Sequence, residues 1–248
     1  MVSGKIIVVT GAARGLGFEL ARQLSLSNTV FALVRNLAAA DKLKALAQSH
    51  SSLHVVQGDI TDPQSIQQAV KSVGESAGGK IDVLINNAGV NVGEQMGLIN
   101  ADPADLTTQL TANIVGPVQT TLAFLPLLRA GASSSTPKTI AFIGSRQGSL
   151  SLATPSEDVG AFLATYSVAK AGLHMAARKL ANELHAKEGG VFSVLVLHPG
   201  WVLTDMGGPG AQVTPEDSVK GLLATLDARA SPAHTGKFFT YENQEHPW

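Results

Sequence analysis

Short apolar runs rich in β-branched residues recur along the chain, and each gives way to a longer helix-like stretch. The clearest runs are Lys5–Val9, Thr29–Val34, His54–Val56, Asp82–Ile85, Thr139–Ile143, Phe192–Leu197 and Lys237–Thr240. Their hydrophobicity is near-continuous, not alternating, which predicts strands of a parallel sheet covered on both faces. The stretches between them, Leu16–Leu26, Ala38–Ala47, Pro63–Val73, Ala104–Leu128, Phe162–Ala186 and Pro215–Ala228, are long enough for crossover helices. Strand–helix alternation over the whole length predicts a doubly wound α/β sheet. Two loops, Ala130–Lys138 and Met206–Thr214, are rich in Ser, Gly or Pro. A boundary at either would leave both halves with incomplete sheets, so residues 1–248 read as one domain.

Composition narrows the function more than the fold. The chain of 248 residues is 44% apolar and 15% charged, with formal net charge −1 and no cysteine. Disulfides and cysteine-bound metals are excluded, and no charge excess points to nucleic acid or an anionic membrane. The seven histidines form no H-E-x-x-H or other close metal spacing. The start runs directly into a strand without signal-peptide architecture, and apolar stretches such as Thr120–Leu128 are too short to span a bilayer. A soluble, cytoplasmic protein is expected.

After the first strand, Thr10-Gly11-Ala12-Ala13-Arg14-Gly15-Leu16-Gly17 opens a helix. Glycines there permit a tight turn and let the backbone approach a pyrophosphate, whose charge suits a helix N-terminus. The spacing differs from G-x-G-x-x-G, with three residues between the first two glycines. A dinucleotide site for NAD carries an acid near the end of the second strand, about 20 residues past the glycines. Here Ala32-Leu33-Val34-Arg35-Asn36 has none. Arg35, joined by Arg14, can instead pair with a 2′-phosphate, worth about 1.5–3 kcal/mol per charge-assisted bond. NADP(H) is therefore favoured over NAD(H), against the alternative of two solvated arginines.

Tyr166-Ser167-Val168-Ala169-Lys170 puts Tyr166 and Lys170 one turn apart on one helix face. A phenol with pKa near 10 is a poor proton-transfer group at neutral pH, and a nearby ammonium lowers it toward acid/base work. Ser167 has no base at a recognisable spacing, which argues against nucleophilic hydrolysis.

These segments together with Asn86-Asn87-Ala88-Gly89 and Ser145 resemble the short-chain dehydrogenase/reductases, in order and placement across nearly the whole chain. The resemblance implies a Rossmann-type fold with about seven parallel strands and helices on both faces. It implies that Tyr166 exchanges the substrate proton, Ser145 bonds the carbonyl oxygen, and Lys170 binds the nicotinamide ribose and lowers the tyrosine pKa. Asn113, in Asn113-Ile114-Val115-Gly116, matches the asparagine that holds a relay water. For the cofactor it implies Gly11, Arg14, Gly15, Leu16 and Gly17 at the pyrophosphate side. Asp59 and Ile60 would meet the adenine, and Asn87, Ala88 and Gly89 its ribose. Pro199, Gly200, Val202 and Thr204 would lie at the carboxamide. A turn role for Asp59 and a helix-bend role for Asn113 stay open. His198-Pro199-Gly200-Trp201-Val202-Leu203-Thr204-Asp205-Met206-Gly207-Gly208 and His246-Pro247-Trp248 look like the C-factor and sniffer-type carbonyl reductases.

Two departures stand out. Ser145 and Tyr166 lie 21 positions apart, wider than usual, with a polar insertion around Leu152–Ala161; the carbonyl-reductase group has a similar one. The segment Met206–Thr214 is shorter than the substrate lid of many relatives, leaving a more open pocket. His198 is expected to be structural in preference to touching substrate, and Trp201 either shapes the pocket mouth or packs against the sheet. The expected activity is NADPH-dependent reduction of a ketone, aldehyde or quinone-like carbonyl. Oxidation of an alcohol, or non-catalytic NADP sensing, are the alternatives. The resemblance also implies a homodimer or homotetramer through the long helices Ala104–Leu128 and Phe162–Ala186.

Overall fold

The computed structural model describes the chain except residues 1–2, 94–96, 134 and 154–162. Seven strands, β1 (Ile6–Thr10), β2 (Thr29–Val34), β3 (Leu53–Gln57), β4 (Val83–Asn86), β5 (Lys138–Ile143), β6 (Phe192–His198) and β7 (Lys237–Thr240), form one sheet. Its order is β3-β2-β1-β4-β5-β6-β7 and every pairing is parallel. The doubly wound Rossmann-type sheet expected from the apolar runs is the fold observed. Two of the seven expected strands, Thr29–Val34 and Lys237–Thr240, keep their bounds unchanged, and the rest shift by one residue at one or both ends.

Both faces of the sheet are dry, which is why the strands read as unbroken apolar runs. On one face Val8, Phe31, Leu33, Leu84, Phe142 and Val196 meet α3 (Pro63–Ser76), α5 (Gly116–Arg129) and α6 (Ala164–Glu188). On the other, Ile7, Val9, Ala32, Ile85, Ala141 and Leu197 meet α1 (Gly15–Leu24), α2 (Asp41–Ser49) and α7 (Pro215–Arg229). Successive residues of each strand serve opposite cores, as the two-residue period of a strand requires.

α4 (Pro103–Leu110) runs through a π-helical turn at Thr111–Val115 into α5, so the expected Ala104–Leu128 helix is one continuous element. This corrects the length argument against a membrane span. Residues Pro103–Arg129 are long and apolar enough to cross one by length and composition, although 44% of the most apolar window is buried inside the protein. Its apolar side is the core face: Phe124, Leu125 and Leu128 pack under the sheet. The expected start of α6 at Phe162, and most of the Leu152–Ala161 insertion, lie outside the described residues.

Candidate active site

Parallel strands deliver their carboxyl ends to one edge of the sheet, and the order reverses between β1 and β4. Ligands of such sheets bind at that crevice. The expected site residues converge there, at the ends of β1 (Gly11–Gly17), β2 (Arg35), β3 (Asp59, Ile60), β4 (Asn87–Gly89), β5 (Ser145) and β6 (Pro199–Thr204).

The glycine turn is built by what is missing. Gly11 and Gly15 adopt φ +68° and +56°, a left-handed conformation that side chains disfavour. A Cβ on Gly11 would lie 2.8 Å from the Ala88 Cα, and one on Gly17 would overlap the Gly11 carbonyl and approach the Asn87 amide at 2.5 Å. No side chain caps α1, and its first turn carries no acid. Its leading N–H groups, which have no partner inside the helix, are left for an anion. Thr10 locks this turn to the next strand end: its hydroxyl accepts from the backbone N–H of both Asn87 and Ala88 at 3.0 Å. The Asn87 amide returns a bond to the Thr10 carbonyl at 2.9 Å.

The opposite wall is polar and buried. The π turn, closed by the Gly116 N–H on the Thr111 carbonyl, turns Asn113 inward. Such turns recur at functional sites. Asn113 clamps one residue from both sides, accepting from the Val90 N–H at 2.9 Å and donating to the Val90 carbonyl at 2.8 Å. Gln109, fully buried, accepts from the Asn113 amide at 3.1 Å and donates to the Thr165 hydroxyl at 3.1 Å. A Cβ on Gly89 would fall 2.6 Å from the Asn113 Oδ1 and 3.9 Å from the Lys170 Nζ, so glycine is what lets these three groups meet.

Ser145 caps a short 3₁₀ turn (Arg146–Gly148), accepting from the Gln147 N–H at 3.2 Å. It also lies close enough to the Tyr166 hydroxyl to favour the phenolate. Lys170 donates from Nζ to the Ile143 carbonyl at 2.8 Å and sits 5.6 Å from the Tyr166 ring centroid. Burial, and not Lys170, sets the direction of the Tyr166 pKa in this structure. Lys170 is buried and Tyr166 half-buried, and loss of hydration is the main influence on both. Burial pushes the phenol up to about 12, with only the Ser145 hydrogen bond acting the other way. Burial pushes the Lys170 ammonium down to about 8.

Other expected residues are placed less simply. Arg35 is exposed at the end of β2, open to solvent for an anion. Arg14 is held by Asp205 at 2.7 Å in an exposed ion pair that ties the glycine turn to the segment after β6. Leu16 packs into the core under α1. Asp59 closes its own turn, accepting from the Thr61 N–H at 2.9 Å and hydroxyl at 2.7 Å. Ile60 is buried against Gly116, and its carbonyl accepts from Gln119. In the segment after β6, Gly200 takes φ +81°, the Pro199 carbonyl accepts from Ser218 at 2.6 Å, and Val202 pairs with Val213. Thr204 lies beside Gly15. His198 stacks on His246 with ring centroids 5.7 Å apart, and burial pushes its pKa down to about 4, in keeping with a structural role. Trp201 does not pack against the sheet: it is 55% exposed and donates to the Gly207 carbonyl at 2.8 Å.

Thr10, Gln109 and His174 were not anticipated as site residues. The one legible signal belongs to His174, which lies two helical turns from Tyr166 on the face that also carries Lys170.

An uncapped helix over a glycine turn, facing an Asn–Ser–Tyr–Lys wall at the carboxyl edge of the sheet, defines a Rossmann-type oxidoreductase. The family described as short chain dehydrogenase matches residues 5–212, and the chain belongs to it. C-signal of Myxococcus xanthus is 45% identical over 170 residues, covering 68% of this chain and 94% of that protein. Among solved structures, NADPH-bound carbonyl reductase from chicken fatty liver superposes with TM-score 0.89 at 32% identity, covering 100% of both chains. Carbonyl reductase Sniffer of D. melanogaster superposes with TM-score 0.88 at 27% identity, again over 100% of both.

Proposed function

We propose that this protein is an NADPH-dependent carbonyl reductase acting on a ketone, aldehyde or quinone-like carbonyl. The observation that carries the reading is geometric: Tyr166 and Lys170 stand one turn apart on α6, with the Lys170 Nζ 5.6 Å from the phenol ring centroid, beside Ser145 at the crevice where the strand order reverses. The similarity to carbonyl reductases, one of them bound to NADPH, supports it.

The cradle fits the cofactor, since Gly11 and Gly17 leave the space that side chains would fill and α1 presents uncapped N–H groups. Gly11, Gly15, Leu16 and Gly17 would hold the pyrophosphate, and Arg35 the 2′-phosphate. Arg14 joins it by exchanging Asp205 for phosphate. Asp59 and Ile60 would flank the adenine, and Asn87, Ala88 and Gly89 its ribose. Pro199, Gly200, Val202 and Thr204 would hold the carboxamide, and Tyr166 and Lys170 the nicotinamide ribose. When bound, NADPH supplies the hydride that the carbonyl carbon receives. Tyr166 gives its proton to the substrate oxygen, while Ser145 donates a hydrogen bond to the charge developing there. The phenolate left behind is stabilised by Lys170, still cationic at neutral pH, and Asn113 holds the strand-end loop that shapes the pocket.

The same reading includes a cytoplasmic homodimer or homotetramer through the 103–129 and α6 helices, where Leu122 and Met175 stand 54% and 56% exposed. The test is near-ultraviolet absorbance of NADPH and NADH against a panel of ketones, aldehydes and quinones. Tyr166→Phe should lower turnover by about 10²–10⁴-fold with NADPH affinity intact. Turnover retained in that variant refutes the proton-donor role, and tight NADPH binding without turnover favours the sensing alternative.

A further inference from the structure

We propose that His174 is the positioning residue of Ser145, and that the His246–Trp248 segment is the strut that shields it; this rests on the catalytic reading of Ser145 and Tyr166 above. The Ser145 backbone N–H points at the His174 Nε2 at 3.3 Å, a buried bond. The glycines on either side of the serine are shaped around the same ring. A Cβ on Gly144 would lie 2.6 Å from Nε2, and one on Gly148 would lie 2.7 Å from Cε1. Tyr166, Lys170 and His174 therefore project from one face of α6, and the last of them sets the height of the loop that carries the serine.

The ring's other contacts come from far along the chain. Phe238 of β7 lies 4.6 Å away by ring centroids, and Trp248 meets it edge-on at 5.7 Å. Trp248 is held in turn by Phe238 at 5.5 Å and by the Arg178 guanidinium at 5.2 Å. Its carbonyl accepts from the Ser151 N–H at 2.8 Å, so the strut also fastens the far end of the serine loop. His246 is pinned through its N–H to the Phe238 carbonyl at 2.8 Å.

A backbone N–H needs an acceptor, so His174 serves only while Nε2 is unprotonated and the ring proton sits on Nδ1. Burial opposes a charge on the ring most, then Lys170 on the same helix, with His198 from β6 and His246 from the strut adding to it; the Gly148 backbone acts the other way and is outweighed. Protonation would set N–H against N–H and release the serine.

The first test is ¹⁵N NMR of the His174 imidazole in the full chain at neutral pH. The neutral Nδ1–H tautomer is expected; the Nε2–H tautomer, which a free neutral histidine prefers, overturns the assignment whether or not any variant folds. The second compares His174→Gln with His174→Asn, both polar and both buried. A glutamine amide oxygen reaches the Nε2 position and an asparagine oxygen falls short. With whichever panel carbonyl is turned over, His174→Gln should retain most of kcat. His174→Asn should lose about tenfold or more with KM for NADPH unchanged, as expected of a misplaced reacting group. Equal kcat values for the pair overturn the proposal. Trp248→Ala tests the strut: the acid limb of the kcat profile should move to higher pH, and an unmoved limb removes the strut from the proposal. Tyr166→Phe run in parallel separates the two readings. Its retained activity refutes the catalytic assignment, whereas an inactive Tyr166→Phe beside a fully active His174→Asn refutes only the role of His174.

Discussion

The glycine turn and the catalytic wall face each other across the same crevice, yet they are held by opposite means. The turn is defined by absent side chains, by backbone at φ +68° and +56°, and by arginines standing in solvent. The wall is defined by buried polar side chains bonded to each other and to the backbone: Gln109 to the Asn113 and Thr165 side chains, Asn113 to the Val90 backbone, His174 to the Ser145 backbone N–H. Charge at the turn is cheap to rearrange, because an exposed pair such as Arg14–Asp205 is worth about 0–1 kcal/mol. Polar groups in the wall are costly to disturb, because a buried donor or acceptor that loses its partner costs about 1–3 kcal/mol. One side is suited to capturing a charged ligand and the other to holding reacting atoms still.

Substitutions should separate the two designs. Gly17→Ala forces a methyl into the Gly11 carbonyl and the Asn87 amide, and the turn must open. NADPH affinity should fall by about a hundredfold or more, close to 3 kcal/mol, measured by fluorescence titration; unchanged affinity would place the cofactor elsewhere. Gln109→Leu leaves the Asn113 amide and the Thr165 hydroxyl short of a partner in a dry region. Denaturant unfolding should show a loss of about 2–3 kcal/mol, together with reduced turnover, while cofactor affinity stays near the parent value. Arg35→Asp acts on the other side alone, shifting the NADPH to NADH preference by about 10–100-fold without changing stability. An unmoved preference would assign the 2′-phosphate to other groups.

The smallest effect is gradual and belongs to the wall. Burial holds His174 and His198 at about 3 and about 4 in the folded protein, below the 6.5 of an unperturbed histidine. The unfolded chain therefore binds more protons between those limits. Stability from this source is complete above about pH 6.5 and falls as the pH drops toward 3–4. The slope is at most about 1.4 kcal/mol per pH unit for each histidine. Urea unfolding across that range measures it, and a slope unchanged by His174→Gln would show that the folded imidazole takes up its proton as readily as the unfolded one.

How much of this was readable beforehand depends on whether the signal is local. The apolar runs predicted all seven strands because both faces of a parallel sheet are buried, leaving a continuous signature within a few residues. The glycine turn was legible for the same reason, since its conformational demand falls on Gly11, Gly15 and Gly17 themselves. So was the spacing of Tyr166 and Lys170, one turn of one helix. The sequence by itself thus determined the elements, the crevice they build and the candidate proton donor. The tertiary structure alone decided that Lys170 bonds the Ile143 carbonyl while burial raises the Tyr166 pKa, because hydration depends on what else surrounds the pair. It alone decided that Gln109 meets Thr165, that Arg14 finds Asp205 191 positions away, and that Trp248 covers His174. Those partners lie far apart along the chain, and the physical property each confers, a filled hydrogen bond or a dry ring, does not exist until packing brings them into contact.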